Sequence, residues 1–337
     1  MPTDRSAIAL VLRQVVWRAG RLISLLISLA IATPILQAEP LTLAVSRTPL
    51  SLPLYVAQHN GYFTAEGLEI KFNECLGGHR CLRMVLDGQA DVATASDLPI
   101  VMNSFSSTDY AVIGTFTKSS DDIKLMTSAR SKIQSAEQLA GKRIGVTKGS
   151  AGEYFLDLFL LTAGVDPQTL TVVNLQPEEL VPALQAGKVD AVAVWQPYGY
   201  LAVQGPAKGQ VLPGGSAYIQ TFNMVSHRKL VGVRDAALTK LLRAVDRAEQ
   251  FIQEQPNQAK DILRRRLKPD AAFVDAVWPG LYFRLGLDQT LLATMEGEAR
   301  WALREGHANG PLTPNFLKLV HAAPLRAIKP DAVAPLR

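Results

Sequence analysis

The sequence predicts an α/β protein of two lobes, each built on a largely parallel sheet. Three observations carry this. From residue 41 onward short apolar runs alternate with helical stretches, the pattern that lays helices against parallel strands. The segment LRMVLDGQADVATAS (82–96) is echoed by LVPALQAGKVDAVAVW (180–195), each a Leu-bearing helix, a Gly, an Asp and a strand, as two lobes of βαβ units would give. Finally, about 299 residues remain once an N-terminal leader is set aside, enough for two lobes with a core each.

In chain order, strands are expected at 41–46, 69–75, 91–96, 110–116 and 123–129, the last a crossover. Helices over 52–67, 80–89 and 97–105 separate the first four. The second series holds a short helix at SAEQLAGK, then strands at 143–148, 171–175 and 191–195. Between them lie the helices AGEYFLDLFLLTAG and PEELVPALQAGK. A strand at 220–230 returns the chain to the first lobe. Helices follow at 235–255, 257–267, 271–285, 288–305 and 314–320, and a Pro- and Ala-rich tail at 326–337 is expected to fray. In the echoed segments Gly88 and Gly187 end their helices in left-handed turns, and Asp91 and Asp190 open the strands.

The first 38 residues read as a secretory leader. Arg5, Arg13, Arg18 and Arg21 against Asp4 precede the uncharged run LISLLISLAIAT, and cleavage is placed after Ala38. The apolar run is shorter than the roughly 20 residues a spanning helix needs. Removing the leader leaves a charge of about +2 from +5, so the basic balance does not argue for a nucleic-acid partner. LRRRLK (263–268) is read as a solvated helix end that suits the dipole.

Export decides the cysteines. The only two, Cys75 and Cys81, bracket a Gly-Gly-His-Arg turn, which alone admits a redox centre, a metal site with His79, or a staple. In an oxidising compartment two lone cysteines pair, and the spacing is not the C-x-x-C of a thiol oxidoreductase. The expectation is a Cys75–Cys81 disulfide pinning a strand-to-helix turn, with no metal and no cofactor.

Ligands of open parallel sheets sit beyond the carboxyl ends of the strands, against helix N-termini. Five such junctions occur: SRTPLSLP, CLGGHRC, ASDLP, TKGSAGEYF and VWQPYGY. Ser51, Asp97 and the Ser150/Glu153 pair, the last as a capping box, also explain themselves as helix caps. The five histidines are scattered, and HExxH, GxSxG and Walker-type strings are missing, so an enzyme is not expected.

RTPLSLPLYVAQHNGYFTAEGLEI, LDGQADVATAS, KGSAGEYFL and LQAGKVDAVAVWQPY together resemble the periplasmic solute-binding proteins of the nitrate, sulfonate and taurine type. That superfamily is shared with binders of thiamine-pyrimidine precursors. The resemblance covers about 41–320 and implies a hinged two-lobe fold of the type II periplasmic binding class. Lobe one would be 39–119 plus 219–325 and lobe two 120–218. It further implies a monomer that delivers a small solute to an ABC-type permease and its ATPase, touching the membrane only through the permease. Carried over by motif, the ligand set is Ser51, Leu52, Gly78, His79, Arg80, Ser96, Asp97, Leu98, Thr117, Lys118 and Asn223 from lobe one. Lobe two adds Lys148, Gly149, Ser150, Ala151, Trp195 and Gln196. Gln196 stands where many relatives have an acid, which weighs against a cationic solute. The cations point to a sulfonate, carboxylate or nitrate, while Asp97 and Glu74 pull toward an amine or a ring N–H. The alternatives are a pyrimidine- or flavin-like precursor binder and a ligand sensor of the same fold. A pyrimidine-forming enzyme of the superfamily is set aside by the leader and by the missing Cys-rich motif.

Overall fold

The computed structural model describes residues 39–214, 218–268 and 270–335; the expected leader and its cleavage point lie outside them. Eleven strands are present among the described residues: β1 Glu39–Ser46, β2 Leu68–Cys75, β3 Val92–Ser96, β4 Tyr110–Ser119, β5 Ile123–Thr127, β6 Arg143–Val146, β7 Thr171–Asn174, β8 Ala191–Trp195, β9 Gln210–Val211, β10 Gln220–His227 and β11 Leu281–Gly286. They form a six-stranded sheet, β11-β4-β10-β3-β1-β2, and a five-stranded one, β7-β6-β8-β5-β9. β1 runs parallel to β2 and β3, and β6 parallel to β7 and β8. The returning strand β10 is antiparallel to β3 and β4, β11 to β4, and β5 to β8 and β9, so the sheets are mixed and not the largely parallel ones expected. Two chain passages join the sheets: β4 into β5, and the segment that leads into β10.

The helices are α1 Leu52–His59, α2 Tyr62–Ala65, α3 Gly78–Leu86, α4 Asp97–Ser104, α5 Ala151–Ala163, α6 Pro177–Gln185, α7 Tyr198–Gln204, α8 Asp235–Glu254, α9 Pro256–Leu267, α10 Ala271–Val277, α11 Gln289–Arg304 and α12 Ala323–Arg326. β3 and β8 are buried along nearly all their length, as strands covered on both faces are. The sequence echo is a structural repeat. Gly88 and Gly187 take φ of +72° and +69°. The Asp91 carboxylate accepts the Thr42 N–H at 2.9 Å while its own N–H donates to Thr42 O at 2.8 Å; Asp190 does the same with Arg143, at 2.9 and 2.8 Å. Each Asp locks the start of one strand to its neighbour.

Four further expectations are corrected. The helix over 52–67 breaks at Gly61, which takes φ +69°. The helix over 271–285 stops at Val277: Pro279-Gly280 interrupts it, and Leu281, Phe283 and Leu285 alternate with exposed Tyr282 and Arg284 as strand β11. The described part of the tail packs instead of fraying. Leu325 is fully buried, Val333 bridges to Leu287, and the Lys329 ammonium lies 2.7 Å from Asp246 and 3.2 Å from Glu249. Lastly, the basic cluster at 263–268 is not simply solvated, because Arg264 pairs with Asp261 and Asp275 and Arg266 with Glu74.

Nor are the cores two closed compartments. The larger one lies on the six-stranded sheet, with α1, α8, α9 and α11 supplying many of its side chains. The second gathers Tyr154, Phe155 and Phe159 of α5 but also takes in Leu98 of α4 and Trp301 and Ala302 of α11. Helices of the first lobe therefore help build the core of the second, and the lobes meet through a packed seam.

Candidate ligand-binding site

The ends of β1, β2 and β3 and the start of α3 form one rim of the site. Cys75 at the end of β2 is bonded to Cys81 in α3, with Cα atoms 5.6 Å apart, so the expected staple is present and no thiolate remains for a metal. Gly78 opens α3 directly against the end of β3: a Cβ there would lie 2.9 Å from Ala95 Cα and 3.0 Å from Ser96 N. His79 is exposed, with its ring folded over Gly77. Desolvation and then the Arg80 charge hold its pKa below the usual imidazole range. Arg80 is exposed and has no salt bridge or side-chain hydrogen bond among the described residues.

The opposite rim comes from the ends of β6 and β8. Lys148 is exposed, its N–H donating to Asn174 Oδ1 at 3.1 Å, and its ammonium has no ion-pair partner among the described residues. Trp195 ends β8 half-buried and meets the Tyr198 ring edge-on, with centroids 6.0 Å apart and planes at 85°. Burial raises the Tyr198 pKa and Glu178 adds to it, while the Arg80 charge opposes both. Arg80 of one lobe and Tyr198 of the other are thus within electrostatic reach. The lobes also approach where a Cβ on Gly149 would stand 4.0 Å from Met102 Cε. Elsewhere Tyr200 donates to Asp270 Oδ2 at 3.0 Å and meets the Phe273 ring edge-on, with centroids 5.2 Å apart.

Several of the residues expected at the ligand site have side chains that turn inward. Ser51 is fully buried, its hydroxyl donating to Ser46 O at 2.7 Å, and Leu52 and Leu98 are fully buried. Asp97 accepts from Tyr218 and Thr221, so it is not a simple N-cap, and Ser96 occupies that position. The Thr117 hydroxyl donates to Leu50 O at 2.8 Å. Lys118 pairs with Asp288 at 2.7 Å. Asn223 is fully buried among Thr115, Thr221 and Ala95. Gln196, joined to Pro197 by a cis bond, accepts the Tyr200 N–H through its side chain. The capping box of α5 is altered too. Ser150 accepts from Gly152 N, whereas Glu153 reaches past Ser150 to the Gly149 N–H at 2.6 Å; that amide is therefore already taken, and Ala151 is buried beside it.

The groups left exposed are His79, Arg80 and Lys148, with Trp195 and Tyr198 half-buried. Tyr198 was missed from the sequence, although W-Q-P-Y placed an aromatic three residues after Trp195. The acids that had pulled toward a cationic solute are neutralised or hidden. Glu74 is held by Arg266 at 2.7 Å and faces Arg47 at 3.7 Å, and Asp97 is fully buried. The unpaired cations on the rims are Arg80 and Lys148, while Glu178, exposed and without a salt bridge among the described residues, lies within electrostatic reach of Tyr198.

A two-lobe α/β scaffold with facing strand ends is the architecture of the periplasmic binding proteins. Solved structures bear this out: SsuA, the periplasmic aliphatic sulphonate binding protein of Escherichia coli, superposes with a TM-score of 0.73 at 18% identity over 84% of this chain and 92% of that one. SsuA from Xanthomonas axonopodis pv. citri, bound to MOPS, gives 0.71 at 18% identity over 84% and 98%. The desulfurization enzyme DSZB shares the fold, with a TM-score of 0.65 at 16% identity over 86% and 98%. The chain belongs to the NMT1/THI5 like family, which matches residues 48–259. Among curated relatives, the taurine-binding periplasmic protein of Escherichia coli (strain K12) is 27% identical over 50% of this chain and 52% of its own length. A Bacillus subtilis (strain 168) relative named for binding aliphatic sulfonates is 28% identical over 43% and 45%. The chain spans about half the length of these relatives.

Proposed function

We propose that this protein is the extracytoplasmic solute-binding component of an ABC-type importer, exported with cleavage after Ala38, and that it captures a small organic anion between its lobes. A sulfonate is the leading ligand and a carboxylate or nitrate the next. The single observation that carries this reading is Arg80, a guanidinium with no salt bridge or side-chain hydrogen bond among the described residues, within electrostatic reach of Tyr198, which pairs with Trp195 in the other lobe. In this reading the guanidinium and the start of α3 hold the anionic head. Lys148 adds a second positive charge and the aromatic pair covers the apolar body. The names of the relatives point the same way.

The aromatic pair also gives the heterocycle reading its one support, since a pyrimidine- or flavin-like ring would stack there. A thermal-shift screen of the mature protein separates them, with taurine, butanesulfonate, simple carboxylates, nitrate, a pyrimidine and a flavin as probes. An anion at about 100 times its dissociation constant adds about 2.7 kcal/mol, and a sulfonate is expected to give the largest shift. A shift with the ring compounds alone would move the assignment to the precursor binders. No shift with any probe, together with release of sulfite from a sulfinate, would replace binding by catalysis.

A further inference from the structure

Where α4, α11 and the segment leading into β10 meet, three ionisable side chains are buried together. Asp97 and Glu298 are fully buried and Tyr218 is 5% exposed. The Tyr218 hydroxyl lies 2.6 Å from Asp97 Oδ1 and 3.1 Å from Glu298 Oε1. A phenol carries one proton, so it can donate to only one of these oxygens. Asp97 also accepts from Leu98 N at 3.0 Å, Thr221 N at 2.9 Å and the Thr221 hydroxyl at 3.2 Å. Burial pushes the Asp97 carboxyl up against these four donors, but of the two acids it is the one whose charge is hydrogen-bonded, and the shorter contact shows where the tyrosine proton goes. The 3.1 Å contact then brings two oxygens together with no proton between them, unless Glu298 provides it. The second oxygen of Glu298, Oε2, is buried with no hydrogen-bond partner, a costly state for a full carboxylate.

We propose that Glu298 is a proton-binding site at the seam between the lobes: as a neutral acid it donates to the Tyr218 oxygen, and this bond ties the return segment to α11. Burial, and then the Asp97 charge, push the Glu298 carboxyl well above the usual range, in keeping with the geometry. Only the Tyr218 hydroxyl works against this shift, and no cation among the described residues pairs with the carboxyl. α4 presents Asp97, the return segment Tyr218 and Thr221, and α5 presents Tyr154, edge-on to Tyr218 with centroids 5.2 Å apart. On α11 itself the Arg300 and Arg304 charges reach Tyr154, but their guanidinium groups pair with Glu296 and Glu305. Ionising Glu298 would set a second negative charge against Asp97 in the packed seam.

The folded state therefore holds a proton that the unfolded chain releases above the ordinary glutamate range. Stability from this site is complete at low pH and is lost as pH rises toward the folded-state pKa. Glu298→Gln keeps a donor for Tyr218 and removes the proton. From about pH 5 upward the unfolding constant of the native protein is expected to rise more steeply than that of Glu298→Gln, by up to about tenfold per pH unit. Equal slopes would overturn the proposal. If Glu298→Gln does not fold, infrared spectra at about pH 6, above the ordinary glutamate range, decide. Protein made with isotopically labelled glutamate, carrying Glu153→Gln because Glu153 is also shifted upward, is expected to show a neutral-acid carbonyl band that moves with the label. No such band would overturn the assignment. Neither readout uses a solute, so this site stands or falls apart from the transport reading.

Discussion

Replacing Gly78 by Ala isolates the contact that sets the start of α3 on the end of β3. The new Cβ would stand 2.9 Å from Ala95 Cα, 3.0 Å from Ser96 N and 3.4 Å from Ala95 C. All three are backbone atoms of a buried central strand, so no flexible side chain can swing aside. Restoring ordinary contact requires α3 to move by about half an ångström, and overpacking of this kind costs about 1–3 kcal/mol. Gly88→Ala is the control. That position has φ +72° and nothing within 4 Å of a Cβ, so its cost is left-handed strain alone, about 1–2 kcal/mol. Urea unfolding is expected to show both variants destabilised with an unchanged slope. Only Gly78→Ala is expected also to weaken solute binding, because His79 and Arg80 ride on the displaced turn. A Gly78→Ala protein within about 0.5 kcal/mol of the native one, with native affinity, would refute the close-approach reasoning.

The disulfide and a buried acid give two more tests. Removing both Cys75 and Cys81 by Ser closes no loop in the unfolded chain and is expected to cost under about 3 kcal/mol. Affinity is expected to fall as well if the staple fixes the Gly77–Arg80 turn, and calorimetry on the double variant checks this. Asp122 is pushed up to about 7, chiefly by burial and then by Asp121, with Lys124 opposing. Its folded pKa lies above the unfolded value, so it costs stability as pH rises from about 4 to about 7. Asp122→Asn is expected to flatten that part of the stability profile and to gain most over the native protein near neutral pH, as read by denaturant midpoints.

Much of the fold is legible because its signals are local. Gly88 with Asp91 and Gly187 with Asp190 announce two lobes, and the structure turns each pair into the same lock on a neighbouring strand. β11 was lost because a Phe-Arg-Leu string in a helical region fits either period, although Pro279-Gly280 marked the break. The tail was misread because its anchors, Asp246 and Glu249, lie some 80 residues away in sequence. The site was legible as a set of loops and less so as a set of side chains. Strand ends place Arg80, Lys148 and Trp195 at the rims, but nothing local tells that Asp97 is claimed by Tyr218 or that Thr117 donates to Leu50. Those partners come from segments distant in sequence, and burial decides their roles.

The most direct test of the central claim is a calorimetric titration of taurine and of butanesulfonate into the native protein and into Arg80→Ala. Arg80 is exposed and makes no salt bridge or side-chain hydrogen bond among the described residues, so the substitution should leave folding within about 0.5 kcal/mol of native. A lost charge-assisted bond to the anion is worth about 1.5–3 kcal/mol. The expected result is saturable binding of at least one sulfonate by the native protein, weakened at least about tenfold in Arg80→Ala. Sulfonate binding of equal strength in the two proteins would contradict the account.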